Sequence, residues 1–267
     1  MAKSSIIINT YKLTNNSLIG EGSFATVHRA ISHKNTYVAI KINKDPSLNT
    51  IKHEAQILSY LNKQLPNADF IPILYWYGNF SGRSCIVTPI YVPLTTFNFI
   101  NILSLLEAIH SVDIIHCDIK PDNFMQCPIT GNPVLIDFGL ARAVAPNKFN
   151  ANLCGSPRYA SYYCYLGCTP APRDDLISAG YVLMEQLGYK FSVIEPLFDP
   201  IYEFTHIYHK DNVLRKEQRT LEALLSYRLP KHLEAYFQSL YSDDSPDYQY
   251  LKSLFQPLPM NDLETTI

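Results

Sequence analysis

Four polar residues within a short stretch have the types and order needed for phosphate chemistry. Residues 114–124 read I-I-H-C-D-I-K-P-D-N-F, and V-L-I-D-F-G follows at 134–139. Asp118 can accept a hydroxyl proton, and Lys120 can neutralise a phosphoryl group in transit. Asn123 and Asp137 offer hard oxygen ligands of the kind Mg²⁺ takes. A solvated acidic loop would account for any one of these residues, but not for all of them in this order. The apolar pair Ile114–Ile115 leads into the loop. Pro128, Gly131, Asn132 and Pro133 mark a hairpin-like turn, and an apolar strand, Val134 to Ile136, delivers Asp137.

Such a loop needs a partner that binds phosphates. Residues 18–27, L-I-G-E-G-S-F-A-T-V, read as a strand, a glycine turn and a return strand beginning at Val27. Gly20 and Gly22 let backbone approach a phosphate closely. A second apolar strand, Tyr37 to Lys41, ends in a lysine. After it, Ile51, Ala55, Leu58 and Leu61 form a helical stripe that also carries Glu54. Residues 70–92 read as two strands around a Ser81–Gly82 turn. Thr95 to His110 is apolar nearly all round, as a buried helix should be.

Together these segments resemble eukaryotic protein kinases. G-S-P-R-Y-A-S at 155–161, R-D-D-L-I-S-A-G-Y-V-L-M at 173–184 and the closing stretch from Leu229 to Phe255 are similar to the casein kinase 1 family. The resemblance covers roughly residues 15 to 256. It implies an α+β, bilobal fold in a single kinase domain over 1–267. A small antiparallel β lobe with one helix (about 11–88) and a hinge (about 89–92) precede a larger, mainly helical lobe (about 93–260), with ATP lying between the lobes. The expected reaction moves the γ-phosphoryl group of ATP to a protein Ser or Thr. Asp118 and Lys120 would be catalytic, and Asn123 and Asp137 would hold Mg²⁺. The nucleotide would be bound by Ile19, Gly20, Glu21, Gly22, Ser23, Phe24, Ala25, Val27, Ala39, Lys41, Glu54, Thr88 and Ile90. Lys41 and Glu54 have the spacing of the ion pair that grips ATP phosphates. Asp175 would be the buried aspartate that fixes the loop around Asp118.

Several positions depart from that pattern. Ala25 stands where a third glycine is common, and the stretch after the hinge is too short for the usual extra helix. Cys117 and Pro172 replace two expected arginines. The segment Ala143 to Leu153 has no Ser, Thr or Tyr to phosphorylate. Activity independent of phosphorylation there is therefore expected, together with weak recognition of substrates already carrying a phosphate. Arg142, Lys148, Arg158 and Arg173 are the cations left nearby. Two other readings remain: a pseudokinase scaffold that binds partners without phosphoryl transfer, and a related fold acting on small molecules.

Composition sets outer limits. The chain has 267 residues, 47% hydrophobic and 17% charged, with a formal net charge of −2. That suits a globular protein with a sizeable core and argues against bulk binding to nucleic acid or membrane surfaces. The N-terminal apolar run is too short for a signal peptide, so none is expected, and no long tail of the kind that restrains some members of the resembled family is expected. Six cysteines at 85, 117, 127, 154, 164 and 168 show no zinc-type pairing and read as reduced structural thiols. The expectation is an intracellular, cytoplasmic or nuclear monomer acting on protein substrates, possibly acidic ones.

Overall fold

The computed structural model describes residues 7–145, 154–189, 216–241 and 245–256. Lys148 and most of the expected activation segment lie outside the described residues. The chain forms two compact units, one of residues 1–95 and 121–141, the other of 96–120 and 142–267.

The first unit is built on a six-stranded antiparallel sheet. Its strands are β1 (Ile7–Ile8), β2 (Tyr11–Glu21), β3 (Ala25–Ile31), β4 (Tyr37–Asn43), β5 (Trp76–Phe80) and β6 (Arg83–Pro89), in the order β1-β2-β3-β4-β6-β5. Alternation decides what each face carries. Ile8, Ala30, Val38, Ile40, Ile42, Cys85 and Val87 make one buried core. Directly opposed residues share a face, so Val27↔Lys41 and Ala39↔Thr88 place Val27, Ala39, Lys41 and Thr88 together on the other side. Helix α1 (Thr50–Gln64) packs against β4 and β6, burying Ile51, Glu54, Ala55, Leu58 and Leu61.

The strand expected across Phe70 to Gly78 is much shorter. Residues 70–75 are irregular, and strand β5 starts at Trp76. The Asn62 side chain, on α1, replaces the missing ladder. It donates to the Pro72 carbonyl at 3.0 Å and accepts from Leu74 N at 2.9 Å. Pro72 could not have donated to a ladder in any case. The Ser81–Gly82 turn is as expected, with φ of 50° and 79°, the pair of positive values that a tight hairpin turn uses. The return strand after the glycine turn starts at Ala25 rather than Val27, because Ala25 already pairs with Asn43 of β4.

A three-stranded sheet completes this unit: β7 (Val92–Pro93), β9 (Phe124–Gln126) and β10 (Pro133–Leu135), in the order β10-β9-β7. Gly131, at φ 72°, closes the β9–β10 hairpin.

In the second unit, β8 (Ile114–Ile115) pairs with β11 (Arg142–Ala143). The helices described are α2 (Phe99–His110), α3 (Tyr162–Tyr165), α4 (Pro172–Gln186), α5 (Leu221–Leu225), α6 (Lys231–Leu240) and α7 (Tyr248–Ser253). Helix α2 starts at Phe99, not Thr95. Asn98 caps it by accepting from Asn101 N at 3.2 Å. The Thr95 N–H and hydroxyl are instead spent on Gln126 in the first unit, at 3.1 Å each. No helix occupies residues 94–98, as the shortened post-hinge sequence implied. Helix α4 is buried from Asp174 to Val182 and again at Met184. At Gly180 a Cβ would sit 2.8 Å from the Phe237 ring, so only glycine lets α6 approach this closely. Among the described residues, no helix is long and apolar enough to cross a membrane.

Candidate active site

The first unit gathers the residues expected to handle phosphates. Lys41 points away from the apolar core because it alternates with Ile40 and Ile42. Its Nζ lies 2.8 Å from Glu54 Oε2 and 2.7 Å from Asp137 Oδ1. Burial alone would lower the pKa of this amine, but the two carboxylates outweigh it and push the Lys41 pKa up. Burial pushes Glu54 up as well, while the Lys41 charge and an N–H bond from Phe138 draw it back. The result is an ammonium clamped between a buried carboxylate and a partly exposed one. The Asp137 side chain remains 42% exposed.

Asp137 adopts a left-handed conformation, φ 65°, and caps the turn Phe138–Leu140. Phe138 is fully buried against this turn's packing on α1. His53, beside Glu54, forms a 2.7 Å hydrogen bond with the Ala141 carbonyl. Helix α1 thus grips both ends of the turn that carries Asp137. Sequence reasoning missed His53, and its only signal was adjacency to Glu54. Asn123 is buried, and its carbonyl accepts from Ile136 N at 2.9 Å, which ties it to the approach to Asp137.

The oxygen donors of Asn123 and Asp137 suit Mg²⁺, which takes one or two protein carboxylates or amides and completes its octahedron with phosphate and water. The exposure of Asp137 fits that use. Among the described residues no group of three or more His, Cys, Asp or Glu could hold a metal by itself.

Of the expected nucleotide contacts, Val27, Ala39 and Thr88 share the Lys41 face of the sheet. Gly20 pairs with Val27 at the end of β2. Gly22, Ser23 and Phe24 form the turn, closed by Gly22 N donating to the Ala25 carbonyl at 2.9 Å. Ala25 lies in the β3 ladder, buried, rather than in the turn itself. Ile90 follows β6 and is half-buried, whereas Ile19 is 42% exposed. Glu21 does not join the Lys41 cluster, because its carboxylate pairs with Lys44 at 2.6 Å.

Asp118 and Lys120 belong to the second unit. Their loop is held by Asp175, at the buried start of α4. Asp175 Oδ2 accepts from His116 N at 2.7 Å and Oδ1 accepts from Cys117 N at 2.9 Å. His110 of α2 bonds the same carboxylate at 3.0 Å and also reaches the Tyr248 hydroxyl. Cys117 takes a left-handed φ of 65°, which turns the chain sharply before Asp118. Asp118 N donates to His116 Nδ1 at 3.2 Å.

Each Asp118 oxygen is engaged. Oδ2 takes the Lys120 ammonium at 2.7 Å, and Oδ1 takes Ser156 N at 2.9 Å and Ser156 Oγ at 2.7 Å. Lys120 Nζ also donates to Ser156 Oγ at 3.1 Å. Burial would raise the Asp118 pKa, but the Lys120 charge and these hydrogen bonds outweigh it and hold the carboxyl below its usual range. At neutral pH Asp118 is an anion that can orient a hydroxyl and take its proton. Ser156 is the functional residue that the sequence left unassigned. Its segment was legible as a family signature, but nothing in the string linked its hydroxyl to Asp118.

The arginines near this segment are largely engaged. Arg158 pairs with Glu185 at 2.7 Å, and Arg173 stacks on the Tyr163 ring at 3.6 Å. Pro172 is the first residue of α4, where a missing N–H is harmless.

The family model for the protein kinase domain matches residues 89–224, just over half of the chain. The match includes Asp118, Lys120, Asn123 and Asp137, while Lys41 and Glu54 precede it. Kinases of this family use ATP with Mg²⁺ and act on protein substrates. With the ion-paired lysine in one unit and the anionic aspartate in the other, this match shows that the chain belongs to the protein kinase domain family.

Proposed function

We propose that the chain is a serine/threonine protein kinase of casein kinase 1-like type that needs no phosphate on its activation segment. One observation carries this reading: Asp118 is held as an anion by Lys120 and Ser156. A substrate hydroxyl placed there can pass its proton to Asp118 while Lys120 offsets charge on the transferring group. Lys41, positioned by Glu54, grips the ATP phosphates. The nucleotide lies along the face that carries Val27, Ala39 and Thr88, with the Gly22–Phe24 turn and its flanking residues 19–21 and 25 over its phosphates. Asn123 and Asp137 hold Mg²⁺, which neutralises phosphate charge when bound.

The single domain over 1–267, with a hinge near 89–92, belongs to the same reading. A monomer working inside the cell suits six thiols that are all free. Incubation with radiolabelled ATP, Mg²⁺ and casein tests the proposal, with phosphoamino-acid analysis of the product. Label in phosphoserine and phosphothreonine supports it. Nucleotide binding without any label on casein or on added small alcohols would favour a scaffold instead, and label on alcohols alone would favour small-molecule transfer.

A further inference from the structure

The mechanism uses neither of two cysteines that the fold brings together beside Asp118. Cys117 directly precedes Asp118, and Cys154 stands two residues before Ser156. Each thiol lies close enough to shift the titration of the other, and the Cys117 thiol donates to the Ile115 carbonyl at 3.7 Å. The two backbones also meet, since a Cβ built on Gly155 would lie 2.3 Å from the Cys117 carbonyl oxygen and 3.8 Å from Asp118 Cα. That approach is closer than any side chain would allow, and Gly155 has a φ of 86°. Both cysteines line a cavity of about 10 Å³, room for one water-sized molecule, whose wall includes Asp118 and Ser156.

We propose that Cys117 and Cys154 form an oxidation site for hydroperoxides, closing to a disulfide that reversibly shuts off phosphoryl transfer. The geometry supplies what a disulfide needs first, namely adjacent backbones and two thiols on the wall of one small cavity. The chemistry balances with peroxide as the oxidant. The Cys154 thiolate attacks one peroxide oxygen; an S–O bond forms, the O–O bond breaks, and the leaving hydroxide takes a proton to become water. The Cys117 sulfur then attacks the Cys154 sulfenic acid. An S–S bond forms, the S–O bond breaks, and a second water leaves with the Cys117 proton. The thiols are oxidised by two electrons and the peroxide is reduced.

The order of attack follows from the surroundings. The neighbouring Cys117 thiol lowers the Cys154 pKa against the opposing effect of burial, and the Arg142 charge adds to it. Cys117, half-buried, is pushed the other way by its Cys154 neighbour and by burial. Cys164 lines the same cavity, but burial pushes its thiol well up, which disfavours it as the first nucleophile.

The effect on activity rests on the kinase reading above; the bridge does not. Drawing the sulfurs to about 2.05 Å pulls on the residue directly before Asp118 and on the one two before Ser156. A displacement of about 1 Å at a reacting group can slow a reaction on the order of a hundredfold. The test exposes the native protein to hydrogen peroxide, maps disulfides by mass spectrometry of a non-reducing digest, and follows casein phosphorylation before and after dithiothreitol. The expected result is a 117–154 linked peptide that appears in step with an activity loss of more than about tenfold, reversed by reduction. Cys154→Ser, or Cys117→Ser if the first fails to fold, should keep its own starting activity in peroxide. An active protein that is fully bridged without losing activity, or that is inactivated with no 117–154 peptide, overturns the inference. A 154–164 bridge in its place does so too. A reduced protein that forms the 117–154 bridge yet never phosphorylates casein leaves the oxidation site standing and removes the kinase reading.

Discussion

The two charged clusters solve opposite problems. Around Lys41 a cation is clamped by two carboxylates, one buried and one exposed. Around Asp118 an anion is clamped by an ammonium, a hydroxyl and a backbone N–H. The first cluster is assembled from residues up to 96 positions apart and depends on α1 being seated correctly. The second is mostly local, and its one distant member, Ser156, bonds through backbone and side chain alike. The Lys41 cluster should therefore fail through positioning and nucleotide binding, and the Asp118 cluster through the proton-transfer step.

The largest effects should come from the working carboxylates. Asp118→Asn and Asp137→Asn are each expected to lower turnover at least about a hundredfold, the usual scale for a general base or a charge-stabilising group. Wild-type rates of casein phosphorylation in both variants would contradict the assignment. The comparison sharpens if only Asp137→Asn also weakens ATP binding.

Glu54→Gln should come next. It keeps a polar partner for Lys41 but removes the buried charge. A hydrogen bond between charged groups is worth about 1.5–3 kcal/mol, so kcat/KM for ATP should fall roughly 10- to 100-fold, mostly through KM. A pure kcat loss would show that Glu54 does more than hold Lys41.

Ser156→Ala is expected to reduce kcat roughly tenfold, because the backbone N–H and Lys120 still hold Asp118. Its pH profile is the sharper readout. Asp118 has a depressed pKa in the fold, and the Ser156 hydrogen bonds help depress it. Activity is therefore lost as pH falls through that lowered value, and without the hydroxyl the acid limb should move to higher pH. The same sign applies to stability. The contribution of Asp118 is present above the ordinary carboxyl range near pH 3.9 and is lost as pH falls through its folded pKa. An acid limb that does not move in the variant would show that Ser156 acts on substrate rather than on Asp118.

The smallest effect concerns substrates already carrying a phosphate. Cys117 and Pro172 remove two arginines, Arg158 is paired with Glu185, and Arg173 is stacked on Tyr163. In peptides with phosphoserine, aspartate or alanine three residues before the target serine, phosphoserine should be preferred over alanine by well under about a hundredfold in kcat/KM. A larger preference would show an intact anion site. Phosphatase treatment should likewise leave activity unchanged.

The sequence made the local parts of this account legible. The order of Asp118, Lys120, Asn123 and Asp137 was readable because they sit within one loop and hairpin. Lys41 at the end of an apolar strand and Glu54 in the helix after it were readable in the same way. What stayed hidden depended on packing across long separations. Asn62 replaces a strand at 70–75 with two side-chain bonds, and Asn98 and Gln126 divide Thr95 from α2. Ser156 and His53 act through contacts that no spacing rule reveals. Glu21, expected at the nucleotide, is drawn to Lys44 by a neighbouring charge that only the register of the strands brings close.

The proposed roles divide, with Lys41, Glu54 and Asp137 assigned to the nucleotide and Asp118, Lys120 and Ser156 to the hydroxyl. Titration of Asp118→Asn with Mg-ATP, read beside its turnover on casein, tests this division most directly. The account predicts wild-type affinity for the nucleotide with turnover reduced at least about a hundredfold. Loss of nucleotide affinity in step with turnover, or turnover at the wild-type rate, would contradict it.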